Sequence, residues 1–377
     1  MGESLPRNVV VSAVNIRKGG TLTILRACLR YLSTRNDLHV TALVHKRNLA
    51  DFPGIDYIEL PHTIDSWSKR LRCEYREMLP ISRQLAPVDL WFSLHDTTPR
   101  VEARRQAVYC HTSFPFLKTR LRDWRMDWKI PMFAHFTKYA YRRNVKANDY
   151  LVVQQNWFRD GLSRLTRFPK ERIIVAPPSV RVVSPATTAT TDNPTPLFIY
   201  PATPDCHKNF EIVCSAAEQL EKRLGPDSFQ ILFTIRGDEN RYASWLKKNW
   251  GHLTSIDFHG LMPRDELDAA YNRAACLLFP SRIETWGLPI SEFKPTCRPM
   301  ILSDLPYAHE SAAGSPAVAF FPPDDPQALA ARMEEVIRHH YIHFASIPQV
   351  DTAPPFAKDW EQLFDILLNE NEDSAAR

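Results

Sequence analysis

The chain has 377 residues, of which 44% are hydrophobic and 24% charged, and its formal net charge is +4. This composition excludes a disordered chain, a collagen-like fibre and a small disulfide-stapled scaffold, and the charge is too small to indicate a nucleic-acid-binding protein. Glycine is scarce, at 11 residues, and no two glycines stand at G-x-G spacing. The fingerprint of dinucleotide-binding folds and the phosphate-binding loop of P-loop NTPases are therefore missing.

Short β-branched and apolar runs alternate with helical periodicity along the first half of the chain. The runs predict strands at residues 8–14, 39–45, 57–60, 89–94, 106–110, 150–154 and 172–176. The helical periodicity predicts helices at about 21–33, 66–85, 131–145 and 157–165. Such alternation is typical of an α/β domain with a parallel sheet.

A proline-rich, small and polar stretch at 181–196 then divides the chain near its midpoint and is typical of a linker. The second half repeats the alternation, with strands expected at 197–201, 229–235, 255–259, 276–279, 300–302 and 317–321. We therefore predict an N-terminal domain at 1–180, a C-terminal domain at 197–354, and a terminal helix with a tail at 355–377. Two open α/β domains that face each other would form a cleft at the carboxyl ends of their sheets.

The seven cysteines are irregularly spaced and include no C-x-x-C pair, so we expect free thiols and no zinc site of a common spacing. No window of 18 apolar residues occurs, and the first apolar run is too short for a signal peptide. We expect a cytoplasmic protein without a membrane-spanning helix.

The stretch FPSRIETWGLPISEF, residues 279–293, carries the most chemical information. A strand ends in it, Gly287 and Pro289 open a helix, and Glu284 and Glu292 lie on either side of the turn. A turn of this kind directs backbone N–H groups at an anion, and flanking carboxylates can accept hydrogen bonds from sugar hydroxyls. A surface loop followed by an ordinary helix explains the same spacing equally well.

The residues around this stretch decide between the two interpretations. Glu284 and Glu292 match the E-x7-E pattern of the retaining GT4 glycosyltransferases. Residues 259–310 as a whole resemble the signature block of that family. Residues 201–216 resemble the first strand-to-helix turn of that family's C-terminal domain, and FAKDWEQLFDILL resembles its terminal helix. The resemblance implies the GT-B fold, which has two Rossmann-like domains facing across a cleft and a C-terminal helix that crosses back to the N-terminal domain.

The resemblance also implies roles for single residues of the second half. Glu292 would hold the nucleotide ribose, Glu284 would contact the donor sugar in the catalytic centre, and Lys208 would neutralise the diphosphate. Backbone N–H groups facing the sugar or phosphate would come from Trp286, Gly287 and Leu288. The family's usual arginine before the lysine is missing here, so either Arg282 or His207 replaces it or phosphate is bound more weakly.

In the first half, His111 follows a strand at the position where similar enzymes place a histidine near the reacting carbon. His95 and Asp96 follow the neighbouring strand and are rivals for this role. Gly19 and Gly20 stand where the family has a glycine pair near the diphosphate and the acceptor, although a simple turn explains them as well.

The implied reaction transfers a sugar from GDP-mannose or a UDP- or dTDP-sugar to a hydroxyl of a glycan or lipid-linked glycan, with retention of configuration. The resemblance favours bacterial surface-polysaccharide enzymes of the O-antigen mannosyl- or rhamnosyltransferase type. No D-x-D follows a strand, and the resemblance to GT-B enzymes implies that a lysine and helix dipoles hold the diphosphate in place of a metal, so we expect neither a metal nor another cofactor. A GT-B sugar-nucleotide epimerase and a non-catalytic nucleotide-sugar-binding module remain as alternatives.

Residues 116–146 carry nine Lys or Arg residues, interleaved with aromatic ones, against two Asp residues. Such a stretch suits an anionic membrane surface, and peripheral contact with the inner leaflet would bring the enzyme to a lipid-linked acceptor. A solvated basic face around a packed helix is the competing explanation.

Overall fold

The computed structural model describes residues 6–178 and 195–369, so most of the predicted linker and residues 370–377 lie outside the described part. The chain forms two compact units. In their described parts, the first comprises residues 6–112, 136–178 and 352–369, and the second comprises 113–135 and 195–351. Residues 113–135, which the sequence places in the N-terminal domain, thus cluster with the second unit.

The first unit contains a sheet of parallel strands, seven within the described residues. They are β1 (Arg7–Ala13), β2 (Leu38–Val44), β3 (Ile55–Glu59), β4 (Leu90–Ser93), β5 (Arg105–Tyr109), β6 (Tyr150–Val153) and β7 (Ile173–Val175). Their spatial order is β3-β2-β1-β4-β5-β6-β7. The order reverses between β1 and β4, and ligands of doubly wound folds bind outside the carboxyl ends of the strands at such a reversal.

The second unit contains a parallel sheet with six strands in its described part. They are β8 (Leu197–Tyr200), β9 (Gln230–Phe233), β10 (Ile256–Phe258), β11 (Cys276–Phe279), β12 (Met300–Ser303) and β13 (Val318–Phe321). Their order is β10-β9-β8-β11-β12-β13, which places the reversal between β8 and β11. The prediction of two parallel-sheet, Rossmann-like domains is confirmed.

Helices connect these strands. They are α1 (Gly19–Leu32), α2 (Trp67–Arg72), α3 (Met78–Gln84), α4 (Leu121–Met126), α5 (Lys129–Arg142), α6 (Asn156–Thr166), α7 (Phe210–Leu224), α8 (Arg241–Trp250), α9 (Arg264–Arg273), α10 (Leu288–Phe293), α11 (Pro306–Ser311), α12 (Pro326–Ile337) and α13 (Trp360–Leu368). Within the described residues, none of them is both long enough and apolar enough to cross a membrane.

The helix predicted at 66–85 is interrupted. A π-helical turn, Cys73–Glu77, separates α2 from α3. Pro80 lies in the first turn of α3 and has no N–H to donate to a preceding carbonyl, which disfavours a continuous α-helical ladder there. Helical periodicity in the sequence does not register this single missing donor, and it therefore predicted one helix.

The terminal helix α13 belongs to the first unit. Leu363, Phe364 and Leu367 are buried in the same core cluster as Val9 and Val11 of β1. β1 is enclosed on both faces, as its β-branched run predicts. The prediction that the terminal helix packs on the N-terminal domain is therefore confirmed.

Candidate functional site

The loops after β8 and β11 flank the reversal of strand order in the second unit, and they bring two predicted site residues together. Lys208 ends a 3-10 turn after β8, and Glu284 lies in the loop after β11. The Lys208 Nζ atom donates to Glu284 Oε1 at 2.5 Å, and the two side chains are 17% and 16% exposed. An ammonium and a carboxylate thus meet, mostly shielded, at the place where this fold binds ligands.

The turn that follows Glu284 requires a glycine. Gly287 has a φ of +88°, and a Cβ atom there would lie 3.2 Å from Ile290 and 3.3 Å from Phe279. α10 begins at the next residue, with Pro289 in its first turn, where a missing N–H costs no helical hydrogen bond. Trp286 is fixed beside it, because its indole N–H donates to Ser291 at 2.8 Å and its carbonyl accepts from Ser311.

Glu292 lies within α10 and already has two donors from α9. Its Oε1 accepts from Arg264 Nη1 at 2.7 Å, and its Oε2 accepts from the Tyr271 hydroxyl at 3.0 Å. Burial, together with the Glu292 charge, raises the pKa of Tyr271 well above its usual value. A carboxylate offers about four lone-pair sites, so Glu292 retains acceptor capacity for a pair of hydroxyls. Arg264 and Tyr271 hold its orientation.

The two candidates for the missing cation occupy other roles in the structure. Arg282 is buried and donates to Asp123 at 2.6 Å and to the Cys206 carbonyl at 3.1 Å. His207 is also buried, and burial, followed by the neighbouring positive charges, lowers its pKa well below the usual value. His207 is therefore neutral at pH 7, and the Arg282 charge is matched by Asp123.

In the first unit, the three candidates His95, Asp96 and His111 follow strand ends and have different surroundings. His95 is enclosed, with Nε2 at 2.9 Å from Ser12 Oγ and Nδ1 at 3.0 Å from Thr97 Oγ1. Asp96 accepts from the backbone N–H groups of His111 and Thr112 at 2.5 and 2.9 Å. Asp96 thus holds the loop on which His111 stands, and His95 is a packed core histidine.

His111 follows β5 and stacks on Tyr109, with ring centroids 4.5 Å apart. Neither of its ring nitrogens, both enclosed, has a hydrogen-bond partner among residues 6–178 and 195–369. Burial, partly offset by the Asp96 charge, lowers the pKa of His111, so the ring is neutral at pH 7. Gly19 has a φ of +70°, and a Cβ atom there would meet nothing within 4 Å, so the backbone conformation rather than crowding favours glycine.

Sequence reasoning missed Arg264, Tyr271 and Asp96 as supports of the candidate residues. Arg264 and Tyr271 could have been found from the segment PRDELDAAY, because residues seven apart in a helix lie on the same face. Asp96 was recognised only as a rival of His111, because the backbone donors that surround it come from another strand end.

Comparisons with known proteins bear on the class of enzyme and on the fold. Residues 195–339 match the family model described as "Glycosyl transferases group 1". Among curated proteins, none matches the chain. The second unit therefore carries a glycosyltransferase domain, and the prediction of a glycosyltransferase enzyme is confirmed at that level.

Solved structures support the fold over nearly the whole chain. WaaG, a glycosyltransferase involved in lipopolysaccharide biosynthesis, is 15% identical with a TM-score of 0.64, covering 96% of this chain and 100% of its own. Sucrose-phosphate synthase from Thermosynechococcus elongatus is 16% identical with a TM-score of 0.62, covering 88% and 90%. HepE from Anabaena, solved in complex with UDP and glucose, is 10% identical with a TM-score of 0.61, covering 89% and 91%. The predicted GT-B fold is confirmed by these likenesses.

Proposed function

We propose that the protein transfers a sugar from a nucleoside diphosphate donor to a hydroxyl of a glycan or lipid-linked glycan, with retention and without a metal. The observation that carries the proposal is the Lys208–Glu284 ion pair at the strand-order reversal of the glycosyltransferase domain. Glu292 lies on the helix that follows the same loop, held by Arg264 and Tyr271. A diphosphate cation, a sugar-facing carboxylate and a ribose-facing carboxylate are thus available from one unit.

The ion pair suggests how the donor is received. A diphosphate carries more negative charge than one carboxylate, so its arrival would draw the Lys208 ammonium away from Glu284. The released Glu284 oxygens could then accept hydrogen bonds from hydroxyls of the donor sugar. As the bond between the anomeric carbon and the diphosphate oxygen breaks, Lys208 would stabilise the charge that collects on the leaving group.

The acceptor completes the reaction. Its oxygen forms the new bond to the anomeric carbon on the face that the diphosphate leaves, and its proton passes to the departing phosphate oxygen. His111 would contact the sugar near its reacting carbon, as a neutral imidazole that can donate or accept one hydrogen bond. We propose GDP-mannose, a UDP-sugar or a dTDP-sugar as the donor, and surface-polysaccharide assembly as the process that the activity serves.

The proposal is tested by binding of nucleotides and nucleotide sugars in the presence of EDTA. A ligand at a hundredfold excess over its Kd stabilises the folded protein by about 2.7 kcal/mol, which a thermal-shift panel detects. Lys208→Gln should weaken binding of the preferred nucleoside diphosphate by roughly 10- to 100-fold, because a hydrogen bond to a charged group contributes about 1.5–3 kcal/mol. Lys222→Gln is the matched control, since Lys222 forms a similar 2.8 Å pair with Glu218 but is exposed.

The outcomes separate the alternatives. Equal binding by the wild type and Lys208→Gln contradicts the assigned donor site. Binding without transfer to any acceptor, and without change of the donor sugar, favours a non-catalytic module. Conversion of the donor sugar in the absence of acceptor favours an epimerase. Loss of binding on addition of EDTA that Mg²⁺ or Mn²⁺ restores, and Zn²⁺ does not, contradicts the metal-independent mechanism.

We also propose that residues 116–146 contact an anionic membrane at the cytoplasmic face. Trp124 and Trp128 are 49% and 56% exposed, and Phe136 and Tyr139 are exposed to a similar degree. Exposed aromatic rings next to Lys and Arg side chains suit the headgroup region of a bilayer. Contact there would bring the enzyme to a lipid-linked acceptor.

A further inference from the structure

A cluster of three different donor side chains lies in the first unit, outside the proposed donor site. Among the described residues, the His62 imidazole, the Cys73 thiol and the Glu77 carboxylate place one ligand atom each within 4.8 Å of one another. His62 Nε2 lies 2.9 Å from Glu77 Oε2. The irregular cysteine spacing in the sequence gave no sign of this cluster, because its members come from two separate turns.

Two local structures bring these residues together. His62 lies in the 3-10 turn Pro61–Ile64, and Cys73 and Glu77 are the first and last residues of the π-helical turn. Residues four apart on such a turn share one face, so the thiol and the carboxylate point the same way. α2 packs against the 3-10 turn and connects the two segments. Isolated π-helical turns are frequent at functional sites.

The geometry and chemistry of the cluster suit a transition-metal ion. Two ligands on one tetrahedral zinc lie roughly 3.3–3.8 Å apart, as follows from bond lengths of about 2.0–2.3 Å. The His62 and Glu77 ligand atoms would have to move slightly apart from their 2.9 Å distance, and the Cys73 sulfur would have to move slightly toward them, to reach this spacing. Mixed imidazole, thiolate and carboxylate donors favour zinc or cobalt over magnesium or calcium.

The surroundings differ on the two sides of the cluster. Cys73 is fully buried and packs in an apolar cluster with Val10, Val14 and Met78. His62 and Glu77 are 39% and 31% exposed at their side chains. A metal would therefore have three protein ligands and a fourth position on the solvent side, which suits a water molecule.

We propose that His62, Cys73 and Glu77 form a binding site for one Zn²⁺ ion that fastens the segment between β3 and α3 to the core of the first unit. The site is independent of the proposed sugar transfer, since none of its ligands belongs to the donor site. A thiol binds a metal as its thiolate, so uptake of the metal should release acid and weaken as the pH falls.

The test uses the full chain, stripped with EDTA and then titrated with Co²⁺ and Zn²⁺. Co²⁺ bound by a thiolate gives a charge-transfer absorption in the near ultraviolet, and Zn²⁺ should abolish it by competition. We expect one metal per chain by elemental analysis and a higher melting temperature with Zn²⁺. His62→Gln should weaken metal binding at least about 100-fold, because loss of an outer-shell partner alone costs 10- to 100-fold.

Three further variants make the result decisive. Cys73→Ala should remove the thiolate absorption. Because Cys73 is buried and its replacement can disturb the core, the His62→Gln variant above, at a half-exposed side chain, tests the same site without that effect. Cys297→Ala removes the exposed cysteine and should leave the absorption unchanged. His39→Gln removes a similar imidazole–carboxylate pair, with Asp56 at 3.0 Å, and should also have no effect. Absence of the band, its loss in Cys297→Ala, or unaltered affinity in His62→Gln would overturn the proposal.

Discussion

At the scale of single residues, His95 lies in a buried polar network whose contribution to stability depends on pH. Its Nδ1 lies 3.4 Å from Glu74 Oε1, and Arg70 pairs with the same carboxylate at 2.8 Å. Burial is the largest cause and lowers the pKa of His95 to about 4, while the charge of Glu74 raises that pKa and the charge of Arg70 lowers it. The neutral ring therefore suits the folded state, and protonation opposes folding.

Acid should destabilise the first unit through this ring. The unfolded pKa of His95 is about 6.5 and the folded value about 4, so the unfolded chain binds the proton more tightly. The stability that the neutral ring gives is complete above about pH 6.5 and is lost as the pH falls through 4, up to about 3 kcal/mol. Urea unfolding at pH 7 and pH 4.5 measures this loss.

His95→Gln cannot take up the proton, so we expect its stability to fall less than that of the wild type between these two pH values. His39→Gln, at an exposed site, is the control and should follow the wild-type slope. Parallel pH profiles for wild type and His95→Gln would contradict the assignment.

At the scale of elements, α13 is joined to the first unit by packing and by its last carbonyls. Phe364 packs its ring against Phe92 and Tyr31, with centroids 5.6 and 5.8 Å apart. Arg7 donates to the Leu368 carbonyl and Arg105 to the Leu367 carbonyl, each at 3.1 Å, which satisfies the end of the helix. Asp359 caps its start by accepting from the Gln362 N–H at 2.9 Å.

Removing one ring of this helix should therefore weaken the first unit. Phe364→Ala should lower the free energy of unfolding of that unit by about 3–5 kcal/mol, as for other buried phenylalanines. Chemical denaturation followed by circular dichroism measures the change. Glu361→Ala, on the exposed side of the same helix, should cost less than about 0.5 kcal/mol. Similar losses in both variants would mean that α13 does not contribute through its buried face.

At the scale of the whole molecule, the net charge of +4 is small, and the nine Lys or Arg residues at 116–146 stand against two acids. Local rather than overall charge should therefore govern membrane contact. Each basic residue near an anionic leaflet contributes about 1 kcal/mol, and the attraction is screened by salt.

We expect the protein to sediment with vesicles that contain anionic phospholipid at low salt, and not with neutral vesicles or at high salt. The double variant Trp124→Ser/Trp128→Ser should reduce the bound fraction severalfold, since both rings are exposed. Ile342→Ser is the matched control, because Ile342 is an exposed apolar residue outside the stretch. Equal binding to neutral vesicles, or equal loss in the control, would contradict membrane contact through 116–146.

The sequence predicted what depends on neighbours along the chain. The glycine at the β11–α10 turn and the two parallel sheets follow from local pattern and periodicity, and the structure contains them. The partner of Arg282 could not be found in this way, because Asp123 stands 159 residues earlier and its charge becomes relevant only when both side chains are buried. The same holds for Arg264 and Glu292, which are 28 residues apart and meet only after two helices pack.

The first unit is made of the beginning and the end of the described chain. During synthesis, β1 is made before the second unit, but Phe364, whose aromatic ring packs in the same core as β1, is made after it. The stretch that forms the second unit leaves the exit tunnel in between, so that unit can fold while the first still lacks part of its core. Synthesis thus completes the second unit before the unit that carries His111, and the newborn chain must keep an unfinished apolar surface from other chains until α13 is made.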